Sequence, residues 1–276
     1  FLCFAASRIP FSFIRRYAWL WLALGAALMA LVLVPGVGVS YGGAQRWFSV
    51  FSISLQPGEL FKLALVIALA AWLARAHAHR GAQVRKTFWV FCGFLVGAGA
   101  LFLAQPDTDS FAIVLAASAA LYAVAGFPLK HLATLAVGVF VAAVILFAAR
   151  PYLLERLTVF LHPDRDPLGA GYQLQQSLIA VGSGGLSGKG FGRSVQKFQR
   201  LPEPTSDSIF AVFAEEFGLV GAWFLVLLFA LLALRGFRIA ARAPDPFERL
   251  VALGSTMLIV GAAFLNIVSM LGLAPL

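Results

Sequence analysis

The chain has 276 residues, 61% of them hydrophobic and only 12% charged, with a mean hydropathy of +0.89. That leaves too little charge to cover a soluble domain of this size, and runs of about 18 or more apolar residues read as bilayer spans. The net charge of +9 points, in a membrane protein, to basic loops and an anionic lipid surface rather than to nucleic acid.

The apolar runs lack the period-two alternation of barrel strands. They predict an all-α polytopic membrane protein, a single integral membrane domain over residues 1–276. Residues 1–6 read as the tail of a truncated span, followed by a basic loop with Arg8, Arg15 and Arg16. Residues 17–37 form the first full span, and a polar segment with Tyr41, Gln45, Arg46 and Trp47 follows. Gln56-Pro57 opens the next helix, with Pro57 suited to its first turn, and the loop after it carries Arg75, Arg80, Arg85 and Lys86. Residues 87–104 and 108–125 make a tight helical pair joined by Gln105-Pro106-Asp107, and residues 132–149 span again. Residues 150–208 are a long polar segment and residues 209–234 another span. A loop with Arg235, Arg238, Arg242 and Arg249 follows, in which Asp245-Pro246-Phe247-Glu248 resembles a capping box. Residues 250–273 are the last of seven full spans. Cys3 and Cys92 fall in apolar segments, so a disulfide is not expected. The start on Phe1 and the end just after an apolar run predict truncation at both ends.

Cations in alternate short loops set the expected orientation. Twelve (Arg8, Arg15, Arg16, Arg75, Arg80, Arg85, Lys86, Lys130, Arg235, Arg238, Arg242 and Arg249) fall on one side; the opposite short loops offer Arg46, with Lys62 just inside the next helix. The positive-inside rule puts the arginine-rich loops in the cytoplasm. The long segment and Gln45-Arg46-Trp47 then share the outer face with ten of the twelve acidic residues, all but Asp245 and Glu248. Chemistry is expected there, on the extracytoplasmic side of a multi-pass protein of the cytoplasmic (inner) membrane.

Several motifs occur in one order along the chain. Ala170-Gly171-Tyr172-Gln173, Gln176-Ser177-Leu178-Ile179-Ala180 and Gly182-Ser183-Gly184-Gly185 lie in the long segment. Leu201-Pro202-Glu203, Asp207, Ile209-Phe210-Ala211 and Glu215-Glu216-Phe217-Gly218 close it. Gly43-Ala44-Gln45-Arg46-Trp47, Gln56-Pro57-Gly58-Glu59-Leu60-Phe61-Lys62 and Gln105-Pro106-Asp107 precede it. Together they resemble the SEDS family, whose familiar members are FtsW, RodA and SpoVE. Ser194-Val195-Gln196-Lys197 is more like FtsW than RodA. The chain departs from the family pattern at Thr205-Ser206 and Ser208, which stand where the family has His-Thr before the aspartate and Phe after it.

The resemblance implies a helical bundle with a large extracytoplasmic loop and a peptidoglycan glycosyltransferase that polymerises lipid II, in division or in elongation. The acceptor 4-hydroxyl attacks the anomeric carbon of a lipid-pyrophosphate donor, which needs a base and cations at the leaving group. A single displacement inverts the anomeric centre. Asp207 matches the family's aspartate and is the candidate base; it also stands where a residue caps the following helix. Arg46, Lys62 and Lys197 match family motifs and suit the pyrophosphate, and snorkelling at the interface is the alternative for each. For Lys189 and Arg200 snorkelling is the preferred reading. Trp47 suits sugar stacking or an interfacial belt. Glu59 in a first helical turn is favoured by the helix dipole alone. Glu215 and Glu216 fall about two turns into a span, where an ionised carboxylate needs a partner. Lys62 and Arg46 are candidates for that partner, and a structural ion pair between helices is the alternative to substrate binding.

Ser187-Gly188-Lys189-Gly190 does not match a phosphate loop, because the spacing and the preceding strand are wrong; close backbone packing in a re-entrant loop is expected instead. His77 and His79 have no carboxylate or cysteine company that would make a metal site. A divalent cation, Mg or Mn, held by Asp207 or the glutamates with substrate oxygens, stays open. The partners implied are lipid II and lipid-linked glycan, a class B penicillin-binding protein, and other division or elongation membrane proteins, with no nucleic acid. A lipid II flippase or other transporter and a non-catalytic scaffold for a transpeptidase are the alternatives. Acidic residues clustered at one face favour the enzyme, since a transporter places ionisable groups near the midplane.

Overall fold

The computed structural model describes residues 4, 8–41, 44–50, 53–78, 84–149, 158–162, 170–199, 201–202 and 206–274. Of the residues singled out above, Cys3, Gly43, His79, Arg80, Arg200, Glu203 and Thr205 lie outside that set, as do residues 1–3, 5 and 6 of the expected truncated span.

The described elements are α1 (Phe11–Arg16), α2 (Ala18–Val32), β1 (Val39–Tyr41), β2 (Ala44–Val50), β3 (Ile53–Leu55), α3 (Pro57–Ala78) and α4 (Val84–Ala104). They continue with α5 (Thr108–Val124), α6 (Leu129–Ala149), α7 (Ala170–Ser183), α8 (Gln196–Gln199), α9 (Ile209–Arg242) and α10 (Pro246–Met270). Five of these, α3, α4, α6, α9 and α10, are long and apolar enough to cross a membrane. The shorter apolar helices α2 and α5 occupy the other two expected spans.

Of the expected loop cations, Arg15 and Arg16 belong to α1, Arg75 to α3, and Arg85 and Lys86 to α4; three further differences from the sequence expectation have local reasons. The first span stops at Val32 rather than at residue 37. Pro35 disfavours helix in the residue before it, and Gly36 takes φ +84°, a left-handed turn that glycine adopts without strain. Residues 39–55 form a three-stranded antiparallel sheet in the order β1-β2-β3, where only a polar segment was expected. The aromatic and β-branched residues Trp47, Phe48, Val50 and Ile53 suit a pleated surface. Arg235, Arg238 and Arg242 belong to the last turns of α9 rather than to a loop, and cations are favoured at a helix C-terminus.

Other expectations hold. Pro57 opens α3. Asp107 caps α5, its Oδ1 accepting from the Ser110 amide at 3.2 Å, so Gln105-Pro106-Asp107 is the tight turn between α4 and α5. Asp245 accepts from the amides of Phe247 and Glu248 at 2.7 and 3.4 Å, which caps α10 behind Pro246.

The chain divides into two compact units, residues 1–135 with 233–259, and residues 136–232 with 260–276. In the first unit α3 packs against α2 and α5. Its Leu65, Leu69 and Leu73 are fully buried with Phe91 and Phe102 of α4, Tyr122 of α5 and Phe247 of α10. An added Cβ at Gly254 of α10 would overlap Val66 of α3. Replacing Gly254 with Val is therefore expected to cost roughly 1–3 kcal/mol by overpacking, read as a lowered thermal midpoint in detergent; an unchanged midpoint would show that the two helices separate freely. The second unit has smaller apolar clusters, Ala180 with Leu201 and Ala211, and Phe210 with Ile267 and Met270.

Candidate active site

In the first unit the site residues gather around the sheet and the turn between α4 and α5. β1 pairs with β2 through Val39↔Trp47 and then Ser40↔Gln45, a shift that leaves Arg46 as the extra residue of a bulge. Bulges re-aim a side chain. Here Arg46 donates Nε–H to the Gln105 carbonyl at 2.9 Å and a terminal N–H to the Pro106 carbonyl. Gln105 is buried and passes the connection on, its Nε2 donating to the Met29 carbonyl at 3.0 Å. Carbonyl acceptors fix the guanidinium without neutralising it. Trp47, next to it, is half-buried.

Lys62 of α3 pairs with Glu59 one turn earlier at 2.7 Å; the lysine side chain is 7% exposed and the glutamate 59%. Glu59 thus answers the charge of a nearly buried ammonium, an arrangement the dipole reading of Glu59 did not include. Lys62, a candidate partner for Glu215 and Glu216 from sequence, is thus paired with Glu59.

In the second unit α7, the turn before α9 and α10 hold Asp207. Asp207 is exposed in the turn that leads into Ile209. Asn266 of α10 donates to its carbonyl at 2.8 Å. Ser208, fully buried, donates to the Pro202 carbonyl at 2.8 Å and accepts from Gln173 Nε2 at 3.1 Å. One hydroxyl thus joins three of the sequence motifs directly beside the aspartate. Ser208 is among the departures from the family pattern, and its hydroxyl is used. Replacing Ser208 with Ala strands the Gln173 amide and the Pro202 carbonyl. The expected cost is about 1–3 kcal/mol, together with faster proteolytic cleavage around residues 201–208; cleavage at the wild-type rate would remove this role.

Glu215 and Glu216 are bound inside the same unit, to residues of the long segment. Glu215, 0% exposed, accepts from Lys189 Nζ at 2.6 Å, Ser194 Oγ at 2.5 Å, Ser183 Oγ at 3.3 Å, and the amides of Val195 and Gln196 at 3.3 Å each. Glu216 accepts from Lys197 Nζ at 2.7 Å and the Ser194 amide at 3.4 Å. Buried charges persist when paired and hydrogen-bonded, and both conditions are met here. The partners are Lys189 and Lys197, not Lys62 or Arg46. Lys189 is an ion-pair member rather than a snorkelling cation.

Backbone bonds lock the same region. Gly218 breaks α9 with φ +67° and ψ −168°. Leu219 and Val220 then donate to the carbonyls of Gly185 and Leu186 at 2.9 and 3.2 Å, while Lys189 and Gly190 donate to those of Glu215 and Glu216 at 3.0 and 2.9 Å. The glycine-rich stretch therefore supplies partners for backbone groups at the helix break. A Cβ on Gly188, whose φ is +79°, would overlap the Glu216 carbonyl, so the close backbone packing expected from sequence is present.

Glu215 is engaged by a lysine ammonium and two hydroxyls, and Glu216 by a lysine ammonium and a backbone amide, so each carboxylate already answers a cation of the protein. Among the described residues no group of three or more His, Cys, Asp or Glu side chains comes together. Gln173, Ser183, Ser194, Ser208 and Asn266 escaped the sequence reading as site residues. Gln173, Ser183 and Ser194 stood inside quoted motifs, and that was their available signal.

A family model described as cell cycle protein, covering FtsW, RodA and SpoVE, matches residues 1–276. The chain belongs to this family. It is 38% identical over 261 residues to stage V sporulation protein E of Bacillus subtilis (strain 168), covering 95% of this chain and 71% of that protein. It is 35% identical over 278 residues to the probable peptidoglycan glycosyltransferase FtsW of Hahella chejuensis, covering 99% of this chain and 69% of that one. Among solved structures it matches a chain described under structural coordination of polymerization and crosslinking by a peptidoglycan synthase complex. That match has a TM-score of 0.79 and 29% identity, over 100% of this chain and 76% of the other. The helical FtsW/RodA/SpoVE fold expected from sequence is thus the fold found.

Proposed function

We propose that this chain is the membrane domain of a peptidoglycan glycosyltransferase that polymerises lipid II, with Asp207 as general base. Family membership and relatives named as probable peptidoglycan glycosyltransferases support the reaction class. The observation that carries the assignment of the base is the placement of Asp207. It is an exposed aspartate at the mouth of a spanning helix, in a turn fixed by Asn266 on one side and Ser208 on the other.

In the proposed step the acceptor 4-oxygen forms a bond to the donor's anomeric carbon as the bond from that carbon to the pyrophosphate oxygen breaks. The hydroxyl proton passes to the Asp207 carboxylate, and the pyrophosphate leaves with the bonding pair. A positioned base contributes about 10²–10⁴-fold. Arg46, Trp47, Glu59 and Lys62 are proposed for substrate binding on the geometry of their own unit. Arg46 is the strongest of the cations, because carbonyl acceptors leave its charge intact whereas Lys62 and Lys197 each face a carboxylate. For Glu215, Glu216 and Lys197 the proposed contribution to binding is indirect, through the shape they impose on residues 183–199.

The proposed setting is the cytoplasmic membrane with Asp207 on the extracytoplasmic side, supported by the arginine-rich loops opposite it. The helix break fits this depth. Residues 219–234 of α9, the run before Arg235, rise about 24 Å at 1.5 Å per residue, somewhat under the ~30 Å of the hydrocarbon core. Gly218 then marks the outer boundary, and Glu215 and Glu216 lie at the interface rather than within the bilayer. The proposed partner is a class B penicillin-binding protein, supported by the likeness to a synthase complex that combines polymerization with crosslinking. The deciding experiment is glycan formation from purified lipid II by the full-length protein with its partner in detergent micelles. A transporter has no bilayer to work across there and a scaffold forms no glycan, so absence of polymer overturns the proposal.

A further inference from the structure

On the arginine-rich side of the first unit, at the other end of α3 from Glu59 and Lys62, lies a cavity of about 490 Å³. Its walls come from α1, the end of α3, and the start of α10, with Arg15, Arg16, Arg75, Asp245 and Glu248 among the lining residues. We propose that this cavity binds the phosphodiester head of a membrane phospholipid.

Charge comes first. Three guanidiniums against two carboxylates leave the lining net positive, and guanidinium forks match phosphate oxygens. Asp245 is engaged elsewhere: it caps α10 through two amides and sits 3.5 Å from Arg15. Glu248, at the same mouth, repels a phosphate dianion more than a diester monoanion, which selects a lipid head over free phosphate.

Shape and surroundings agree. Phe11 and Phe247 meet edge to face at 6.4 Å in the cavity wall, and Arg15 lies 5.7 Å from the centre of the Phe247 ring. Phe11 in the wall is 44% exposed, an apolar edge suited to the glycerol and upper acyl region. The cavity sits where helices end in arginines, the level at which lipid head groups lie, and basic pockets at this level bind phospholipid heads.

The test is native mass spectrometry of the full-length protein after delipidation and re-addition of phosphatidylglycerol, phosphatidylethanolamine or inorganic phosphate. Wild type is expected to retain one phospholipid that inorganic phosphate at equal concentration does not displace. Arg16→Ala with Arg75→Ala is expected to lower retention on the order of tenfold or more, as loss of charge-assisted hydrogen bonds does. Ser12→Trp, which fills the cavity and leaves every charge in place, is expected to do the same, and Arg238→Ala with Arg242→Ala to leave retention unchanged. Circular dichroism checks that each variant is folded, and Ser12→Trp decides the matter if the double arginine variant is not. Retention unaffected by the filling variant, displacement by inorganic phosphate, or no retained phospholipid in wild type overturns the proposal. None of these outcomes depends on whether the protein forms glycan.

Discussion

Replacing Asp207 with Asn is expected to lower glycan formation from lipid II by about 10²–10⁴-fold while leaving the thermal midpoint unchanged. The choice of Asn separates the two roles that a carboxylate in this turn can have. Asn caps a helix as well as Asp does, so a residue that only begins α9 would lose nothing in either measurement. Asn has no basic oxygen of comparable strength and cannot accept the hydroxyl proton. The turn itself is held by groups the substitution leaves alone. Asn266 binds the backbone carbonyl of residue 207, and Ser208 binds Pro202 and Gln173. Replacing Asp207 with Ala removes the carboxylate outright and is expected to be no less damaging to polymerisation. Activity of the Asn variant within tenfold of wild type would take the base away from this residue and leave it a structural one.

Much of the architecture was readable from the lengths of the apolar runs, and the turns from their own chemistry. Asp107 and Asp245 cap the helices that follow them, as short polar residues at those positions do. What escaped the reading is non-local. The apolar runs around Glu215 and Glu216 give depth along a helix but not partners. Their lysines lie 26 and 19 residues away, on a segment whose path no local rule dictates. Gly218 inside an apolar run reads as a tolerated glycine; its conformation is set by the stretch that docks on it. The bulge at Arg46 is likewise a property of strand pairing, so the sequence marked the arginine but not that it would bind the carbonyls of Gln105 and Pro106. The Ser208 hydroxyl stood out only as a departure from a pattern, and burial made it a junction.

The second large effect belongs to Gly218. Replacing it with Ala is expected to cost roughly 3–5 kcal/mol, enough to abolish recovery of a well-behaved protein at 37 °C. Two penalties act together. A φ of +67° with ψ of −168° is a conformation that residues with a Cβ avoid. The new methyl would also overlap the Gly188 amide and lie 2.6 Å from the Leu186 carbonyl. Relief requires residues 185–190 to lift away, which breaks the bonds from Leu219 and Val220 to Gly185 and Leu186. The same movement draws Lys189 off a fully buried Glu215, and an uncompensated buried charge is among the costliest defects a fold can carry. Gly188→Ala attacks the same junction from the other side. The two substitutions are therefore expected to be strongly non-additive, the double variant little worse than either single one. Thermal midpoints in detergent and protease cleavage within residues 184–199 measure this directly. Additive losses, or a Gly218→Ala protein as stable as wild type, would mean that the glycine-rich stretch rests on α9 without being locked to it.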